Sequence, residues 1–266
     1  ATVWLGSGMT ASCHHPPAHQ INLEEVKKNY KAIHNTPEKK DDRRLMQLGE
    51  KPKGCEYCWK IESMGKDKVS DRFIKTSDFR SEDLLLAKEL SYESDVDLRS
   101  LEVTFDKTCQ FACSYCNASF STTWVKDLKT NGAYVGLETN AREQYGEKPN
   151  WDQQYSFSDS NPYIDAFFKW WEADLHKTLY ELRVSGGEPL MSGHTWKLLD
   201  WFKENRGRSK TSFAINSNLG FEKDVIDRLI NSVRDISFTL HTSNESMFSH
   251  AEYIRDGLSW DQWANN

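Results

Sequence analysis

Three cysteines in one short segment form the strongest chemical signal in the sequence. Cys109, Cys113 and Cys116 are separated by three and then two residues, and no cysteine follows them. Three thiolates in one loop can bind three corners of an iron–sulfur cube, whereas a structural cluster takes four cysteines. The spacing therefore favours a cluster with one iron open to a small ligand. A zinc ion completed by a distant histidine, or a set of buried thiols, would use the same residues.

A glycine-rich turn is the second candidate for chemistry. It runs from Ser185 through Gly186, Gly187 and Glu188 to Pro189. Two glycines let backbone groups approach a ligand closely, and the carboxylate beside them can accept hydrogen bonds from a positively charged amine. Taken alone, the same residues would also suit an ordinary turn between a strand and a helix.

A second cysteine group lies near the start of the chain. It consists of Cys13, Cys55 and Cys58, and a histidine-rich stretch follows the first of them. A C-x2-C pair with one further Cys or His is typical of a metal site, with zinc as the ordinary ion. The histidines of this stretch are predicted to lie beside the site or at the surface: His14, His15 and His19.

Composition narrows the class of protein. The 266 residues include 34 Lys and Arg against 40 Asp and Glu, for a net charge of −6. These charges are interspersed, so no broad basic face is available for duplex nucleic acid. No apolar run approaches the roughly 20 residues that span a bilayer, and the start lacks the order of a secretion signal. The sequence therefore predicts a cytoplasmic protein without a membrane partner, in which clustered cysteines favour metal over disulfides.

The elements that would position these residues alternate between strand and helix. Strands are predicted over 101–105, 179–185, 211–216 and 236–241, and helices over 120–128, 164–175, 194–204, 222–233 and 245–263. Each strand alternates apolar with polar residues, whereas a strand buried on both faces would be apolar almost throughout. We therefore expect helices on one face and a polar, concave face on the other, as in a partial (β/α) TIM-type barrel. With only four such strands, we expect the barrel to be truncated at its C-terminus.

Three regions are predicted along the chain. Residues 1–72 hold the first cysteine group, residues 73–98 form a polar connector, and residues 99–266 form the barrel core. Within the core, 130–160 is predicted to be an irregular insertion. The chain begins with Ala1 in an apparent strand, so we expect that a segment preceding it has been lost.

The combination of the cysteine triad and the glycine turn resembles the radical S-adenosylmethionine superfamily. The resemblance includes aromatic Tyr115 just before the last cysteine and the Gly-Gly-Glu-Pro run after the second strand. It implies a [4Fe–4S] cluster on the triad, with S-adenosylmethionine chelating the open iron. It also implies that the cofactor amine is held by Ser185, Gly186, Gly187 and Glu188, with Tyr115 near the adenine.

Further cofactor contacts are implied on the third and fourth strands. Asn216, Ser217 and Asn218 stand where the superfamily often has Thr-Asn-Gly, so this chain departs from that pattern. Thr239 and His241 stand where a Ser and an Asp often reach the ribose or substrate. Ordinary hydrogen bonding within the core is the alternative role for these two residues.

The first 72 residues resemble the N-terminal segment of twitch-domain radical S-adenosylmethionine proteins, in which the twitch element is a shortened SPASM domain. The resemblance runs from His34 to Arg72 and includes both cysteines of the C-x2-C pair. It implies a second, auxiliary [4Fe–4S] cluster on Cys13, Cys55 and Cys58. The fourth ligand could come from a cysteine before Ala1, from a histidine within 14–19, or from substrate. Zinc remains the alternative for this site.

The resemblance implies an enzyme that cleaves S-adenosylmethionine with one electron, from a donor such as flavodoxin or ferredoxin. The 5′-deoxyadenosyl radical would then abstract hydrogen from a substrate, for which a peptide or protein side chain is the leading hypothesis. A small-molecule dehydrogenase or nucleotide-rearranging enzyme is the second hypothesis. The third is a zinc-binding interaction protein without catalytic activity.

Overall fold

The computed structural model describes residues 1–77, 79–132, 134 and 160–266. Most of the insertion predicted over 130–160 therefore lies outside the described residues. No helix in the described part of the chain has the length and apolar character needed to cross a membrane.

The N-terminal part carries short strands followed by helices. Its elements are β1 (Thr2–Trp4), β2 (Met9–Ala11), β3 (His19–Gln20), α1 (Leu23–Lys28), α2 (Pro37–Gln47), α3 (Glu56–Ser63), α4 (Asp71–Thr76) and α5 (Ser81–Glu89). Single 3-10 turns occupy Tyr30–Ile33 and Lys53–Cys55. The segment predicted as a connector thus contains helix α5.

The second part alternates strand and helix as predicted. Its elements are β4 (Ser100–Thr104), β5 (Ala112–Cys113), α6 (Thr122–Asn131), α7 (Pro162–Trp170), α8 (His176–Thr178), β6 (Glu181–Ser185), α9 (Gly193–Glu204), β7 (Ser212–Ser217), α10 (Lys223–Val233), β8 (Phe238–Thr242), α11 (Phe248–Ile254), β9 (Arg255–Asp256) and α12 (Trp260–Asn265). A π-helical turn, Trp171–Leu175, joins α7 to α8, and a 3-10 turn occupies Pro189–Met191.

The prediction of one helix over 245–263 is wrong. The segment forms α11, the short strand β9 and α12 instead. Gly257 directly follows α11 and β9 and has a positive φ of 102°, a conformation that glycine adopts without strain. The chain therefore turns at this residue. In addition, β9 pairs antiparallel with β5, a partner far away in the sequence.

The main sheet has seven strands in the order β3-β2-β1-β4-β6-β7-β8. Neighbours from β1 to β8 in this order run parallel, whereas β2 and β3 form an antiparallel hairpin extension at one edge. The protein is therefore an α/β fold with a mostly parallel central sheet. Within the described residues the sheet is open, with β3 and β8 at its edges.

The two faces of the sheet differ in character, as the alternating pattern predicts. On β4, β6 and β7 the apolar residues are buried, among them Leu101, Val103, Leu182, Val184, Phe213 and Ile215. On the edge strand β8, Leu240 is instead exposed. The buried residues form one core with side chains from α1, α7, α9 and α10, including the fully buried Trp170 and Trp171. Each such large apolar side chain contributes about 1.5–3 kcal/mol by leaving water. The helices thus cover one face and fix the strands that carry the candidate site.

Strand β1 pairs with β4 in parallel, from Thr2 opposite Glu102 to Trp4 opposite Thr104. The N-terminal segment therefore contributes a strand to the sheet that also contains the predicted core strands. The predicted division into three regions, with boundaries after residues 72 and 98, stays a prediction.

A buried ammonium group lies beneath the N-terminal hairpin. Lys39 is only 2% exposed, and its Nζ donates to Thr10 Oγ1 at 2.6 Å and lies 2.9 Å from His34 Nδ1. Burial, followed by the positive charge of Arg43, lowers the pKa of Lys39 to about 7. The folded protein therefore binds fewer protons at this position than the unfolded chain between about pH 7 and pH 10.

We expect the free energy of unfolding to rise with pH across this window, because the unfolded state binds the extra proton. The substitution Lys39→Met should remove this contribution, which is on the order of a few kcal/mol. The measurement is urea unfolding at several pH values for both proteins. Lys40→Met is the control, because Lys40 pairs with Asp95 at 2.8 Å and is partly exposed. Identical pH dependence of wild type and Lys39→Met would contradict the prediction.

Candidate functional site

The cysteine triad lies in the loop between β4 and α6, and the first turn of α6 holds that loop. The backbone N–H of Cys109 donates to Thr122 Oγ1 at 3.1 Å. The Cys109 carbonyl accepts from the hydroxyls of Thr122 at 3.1 Å and Thr123 at 2.7 Å. Ser121, which caps α6 through its side chain, also donates to the carbonyl of Phe111 at 2.7 Å. The loop backbone is therefore fixed by side chains of the following helix.

The other two cysteines are fixed by backbone bonds. The Cys113 carbonyl accepts from Trp124 Nε1 and from the backbone N–H of Cys116, each at 2.9 Å. Strand β5, which contains Cys113, pairs with β9, and the Ser114 N–H donates to the Ile254 carbonyl at 2.8 Å. The C-terminal segment thus contacts the cysteine loop directly.

None of the six cysteines forms a disulfide within the described chain. The three sulfurs do not all lie within 4.8 Å of one another, as judged over the described residues. Thiolates bound tetrahedrally to one zinc ion lie about 3.8 Å apart, because each Zn–S bond is about 2.3 Å. The three sulfurs are therefore not arranged as in a closed three-sulfur zinc site.

Burial raises the pKa of Cys109 to about 11 and also raises the pKa of Cys116. Both thiols are therefore protonated at neutral pH when nothing is bound. A bound cationic metal centre offsets this burial cost by stabilising the thiolates. Binding of such a centre must then release protons.

The glycine turn packs directly against the loop that precedes Cys109. The Glu188 N–H donates to the Thr108 carbonyl at 2.6 Å, and the Gly187 N–H donates to the Asp106 carbonyl at 3.3 Å. A Cβ on Gly187 would lie 2.4 Å from the Thr108 carbonyl oxygen, and one on Gly186 would lie 2.7 Å from that of Asp106. Gly186 also has a positive φ of 128°. Both glycines are therefore required so that the cysteine loop can approach.

Glu188 is 1% exposed and connects the turn to the end of β7. Its carboxylate accepts from the Leu190 N–H at 3.0 Å, from Ser217 Oγ at 2.8 Å and from the Asn218 N–H at 2.6 Å. Burial raises the pKa of Glu188 to about 7, although these hydrogen bonds oppose the shift. A carboxylate offers about four acceptor positions, so one remains beside the three used here. The predicted contact with an amine stays a prediction.

The Asn216 to Asn218 segment divides between two environments. Asn218 is buried, with Nδ2 lying 3.8 Å from Cys109 Sγ and 3.2 Å from Gln110 Oε1. Gln110 in turn donates to Asn218 Oδ1 and to the Gly220 carbonyl, each at 3.1 Å. Asn216 instead is exposed on the polar face of the sheet. Gln110 was missed in the sequence, because a polar residue between two cysteines carries no pattern of its own.

A polar row crosses the sheet at the carboxyl ends of its strands. Thr104 lies opposite Ser185, and Asn216 lies opposite His241. The Ser185 hydroxyl donates to Glu102 Oε1 at 2.6 Å. Thr239 lies one row further from this end, and both it and His241 are exposed on the edge strand β8. The structure thus places Ser185, Asn216 and His241 on one face of the sheet.

Tyr115 and Arg255 lie beside the triad. Tyr115 is about half exposed, and burial together with Cys113 raises its pKa. Arg255 is 3% exposed, with Nη1 4.0 Å from Glu245 and its guanidinium 5.8 Å from the Phe111 ring centre. No sequence pattern pointed to Arg255, because it reaches the loop only through the pairing of β9 with β5.

Buried polar atoms around the triad remain without hydrogen bonds. Thr108 Oγ1, Asp106 Oδ2 and Arg255 Nε find no partner among the residues that the structure describes. Each unsatisfied buried group costs about 1–3 kcal/mol. Such groups beside the three cysteines fit a site that receives a polar ligand.

A small cleft with a cavity volume of about 20 Å³ opens at the carboxyl ends of β1, β4 and β6. Its lining includes Trp4, Thr104, Lys107, Phe120 and Gly186. Ligands of parallel α/β sheets bind at this end of the strands. This volume is far below the roughly 300–1,000 Å³ of typical small-molecule sites.

The first cysteine group is also brought together. Cys55 precedes α3, Cys58 lies within its first turn, and Cys13 follows β2. Burial raises the pKa of Cys55 to about 11, with smaller contributions from Cys13 and Cys58. These sulfurs likewise do not all lie within 4.8 Å of one another, as judged over the described residues. The structure therefore places the three predicted ligands in one region.

The predicted histidines separate into two places. His19 Nε2 lies 2.8 Å from Thr36 Oγ1 and 3.7 Å from Glu38. His14 and His15 instead lie beside Asp71 at the start of α4.

We compared the chain with protein-family models, with curated proteins and with solved structures, and none of them matches it.

We expect Gly187→Ala to lower the free energy of unfolding by roughly 1–3 kcal/mol, because the new Cβ would displace the backbone before Cys109. Urea unfolding measures the change. Gly193→Ala is the matched control, because a Cβ there meets no atom within 4 Å and helix α9 favours alanine. Equal stability of the two variants would contradict the packing described for Gly187.

Proposed function

We propose that this protein is a radical S-adenosylmethionine enzyme that abstracts hydrogen from a peptide or protein side chain. One observation carries the proposal. The loop with the three cysteines and the Gly-Gly-Glu turn, distant in sequence, are joined by the Glu188 N–H···O=C Thr108 hydrogen bond of 2.6 Å. The two motifs on which the family resemblance rests therefore belong to one site.

Each group of residues has a distinct role in this proposal. Cys109, Cys113 and Cys116 would hold the cluster, in a loop that α6 fixes. Glu188 would orient the cofactor amine with its remaining acceptor position, and Asn218 Nδ2, 3.8 Å from Cys109 Sγ, would stabilise the thiolate. When bound there, the cluster and S-adenosylmethionine would supply one-electron cleavage of the sulfonium and a 5′-deoxyadenosyl radical.

The open sheet supports the proposal of a partial (β/α) barrel. Helices cover its apolar face, and the polar face carries Ser185, Asn216, Thr239 and His241 toward the side on which substrate would lie. These side chains would bind the cofactor ribose or the substrate. The electron would come from a flavodoxin or ferredoxin.

The first cysteine group is proposed to hold an auxiliary [4Fe–4S] cluster. Its support is the convergence of Cys13, Cys55 and Cys58 with a separation wider than one zinc ion needs. This auxiliary cluster would lie beside the N-terminal part of the fold, next to the sheet edge that β2 and β3 form.

The test of the proposed function is anaerobic purification with quantification of iron and sulfide. The reconstituted protein, supplied with dithionite and S-adenosylmethionine, should form 5′-deoxyadenosine. A colourless protein that binds zinc instead of iron and forms no 5′-deoxyadenosine would support a zinc-binding interaction protein and overturn the proposal.

We expect Cys113→Ala to abolish 5′-deoxyadenosine formation while leaving the fold largely intact. The backbone bonds of Cys113 to Trp124 and to Cys116 do not involve its thiol. Circular dichroism and iron content are measured alongside product formation. Ser114→Ala is the matched control, because Ser114 is an exposed neighbour in the same loop. Full activity of Cys113→Ala would exclude the triad as the cluster site.

We expect Cys55→Ala to lower the iron content by up to half without removing all cofactor cleavage, because the triad remains complete. Iron analysis and the 5′-deoxyadenosine assay are run on the same preparation. Unchanged iron together with loss of zinc would show that the first cysteine group is a zinc site.

A further inference from the structure

Two histidines and one carboxylate converge beside the first cysteine group, outside both thiol sites. The Nε2 atoms of His14 and His15 lie 3.6 Å and 3.3 Å from Asp71 Oδ2. The two imidazole ring centres are 4.1 Å apart. We searched the described residues for three or more His, Cys, Asp or Glu side chains whose candidate ligand atoms all lie within 4.8 Å of one another. These three residues meet that condition.

The distances match those between ligands of one metal ion. Bonds of about 2.0–2.1 Å to a tetrahedral zinc ion place neighbouring ligand atoms about 3.3–3.4 Å apart. A charge-assisted N–H···O hydrogen bond is shorter, about 2.7–2.9 Å. His15 Nε2 is also buried without a hydrogen-bond partner among the described residues. The three groups are therefore spaced for an ion between them rather than for direct hydrogen bonding.

The residues that carry these groups are fixed by their neighbours. The His15 side chain is 18% exposed, and its ring stacks on Tyr57 at 4.1 Å with an interplanar angle of 19°. Asp71 begins α4, where Ser70 donates to Glu62 at 2.6 Å and Arg72 pairs with the same carboxylate at 2.6 Å. His15 and Asp71 are thus held in position by neighbouring residues.

The ammonium group of Lys75 competes with a metal ion for Asp71 and His14. Its Nζ lies 2.9 Å from Asp71 Oδ2 and 2.9 Å from His14 Nδ1. An ammonium that donates to Nδ1 places the imidazole proton on Nε2, whereas a metal ion on Nε2 requires that proton on Nδ1. Metal binding must therefore displace Lys75 from His14.

We propose that His14, His15 and Asp71 form a mononuclear site for a divalent transition-metal ion, with zinc as the ion that suits two imidazoles and one carboxylate. A water molecule would complete the tetrahedron. The ion joins the segment that follows Cys13 to helix α4. This inference goes beyond the proposed function and does not depend on it.

The test is a zinc titration of the metal-free, reduced full-length chain against a chromophoric chelator. Asp71→Asn should lose one equivalent of zinc or bind it at least tenfold more weakly, and His15→Gln should do the same. Lys75→Gln should bind this equivalent several-fold more tightly, because the competing ammonium is gone. His19→Ala is the matched control and should titrate like the wild type, because His19 lies at Thr36.

Cobalt(II) distinguishes this site from the thiols. The cobalt spectrum of the wild type minus that of Asp71→Asn should show ligand-field absorption without sulfur-to-metal charge transfer. A charge-transfer band in that lost fraction would assign the ion to Cys13, Cys55 and Cys58 and overturn the proposal. So would unchanged zinc binding by both Asp71→Asn and His15→Gln, or weaker binding by Lys75→Gln. Because the readout is metal stoichiometry, it stands apart from any result of the 5′-deoxyadenosine assay.

Discussion

The contact between the glycine turn and the backbone of residues 106–108 determines how the rest of the site is arranged. A side chain at Gly187 would collide with the Thr108 carbonyl at 2.4 Å, so the loops after β4 and β6 meet backbone to backbone. From that contact Glu188 extends to Ser217 and Asn218 at the end of β7. Three adjacent parallel strands are thereby joined at one end, and Cys109 is positioned by the loop they hold.

The two cysteine groups share an electrostatic constraint. Burial raises the pKa of Cys109 and of Cys55 to about 11 in each case. Thiols in such surroundings are poor nucleophiles until a cation stabilises their thiolates. A metal centre bound to either group would supply the charge that the surrounding protein lacks, and its binding would be coupled to proton release. This property links the two groups although they lie in different parts of the fold.

The sequence predicts those features that depend on local periodicity or spacing. Strands β4 and β6 follow from strict alternation, and the cysteine loop follows from its spacing. The pairing of β1 with β4 was not predictable, because three residues at the start of the chain carry no signal of a partner about 100 positions away. The roles of Arg255 and Gln110 at the site were not predictable for a similar reason, since only the tertiary fold brings them to the triad. The misassigned helix over 245–263 reflects a glycine whose positive φ the sequence pattern did not reveal.

The pairing of β5 with β9 determines the order in which contacts to the cysteine loop can form during synthesis. Hydrogen bonds between the cysteine loop and α6 can form while the ribosome is still adding the later strands. The second support, from Ile254 and Arg255, cannot arrive until nearly the whole chain described here has been synthesised. The cysteine loop of a nascent chain is thus supported by α6 alone, and only the finished chain adds the support of the C-terminal segment.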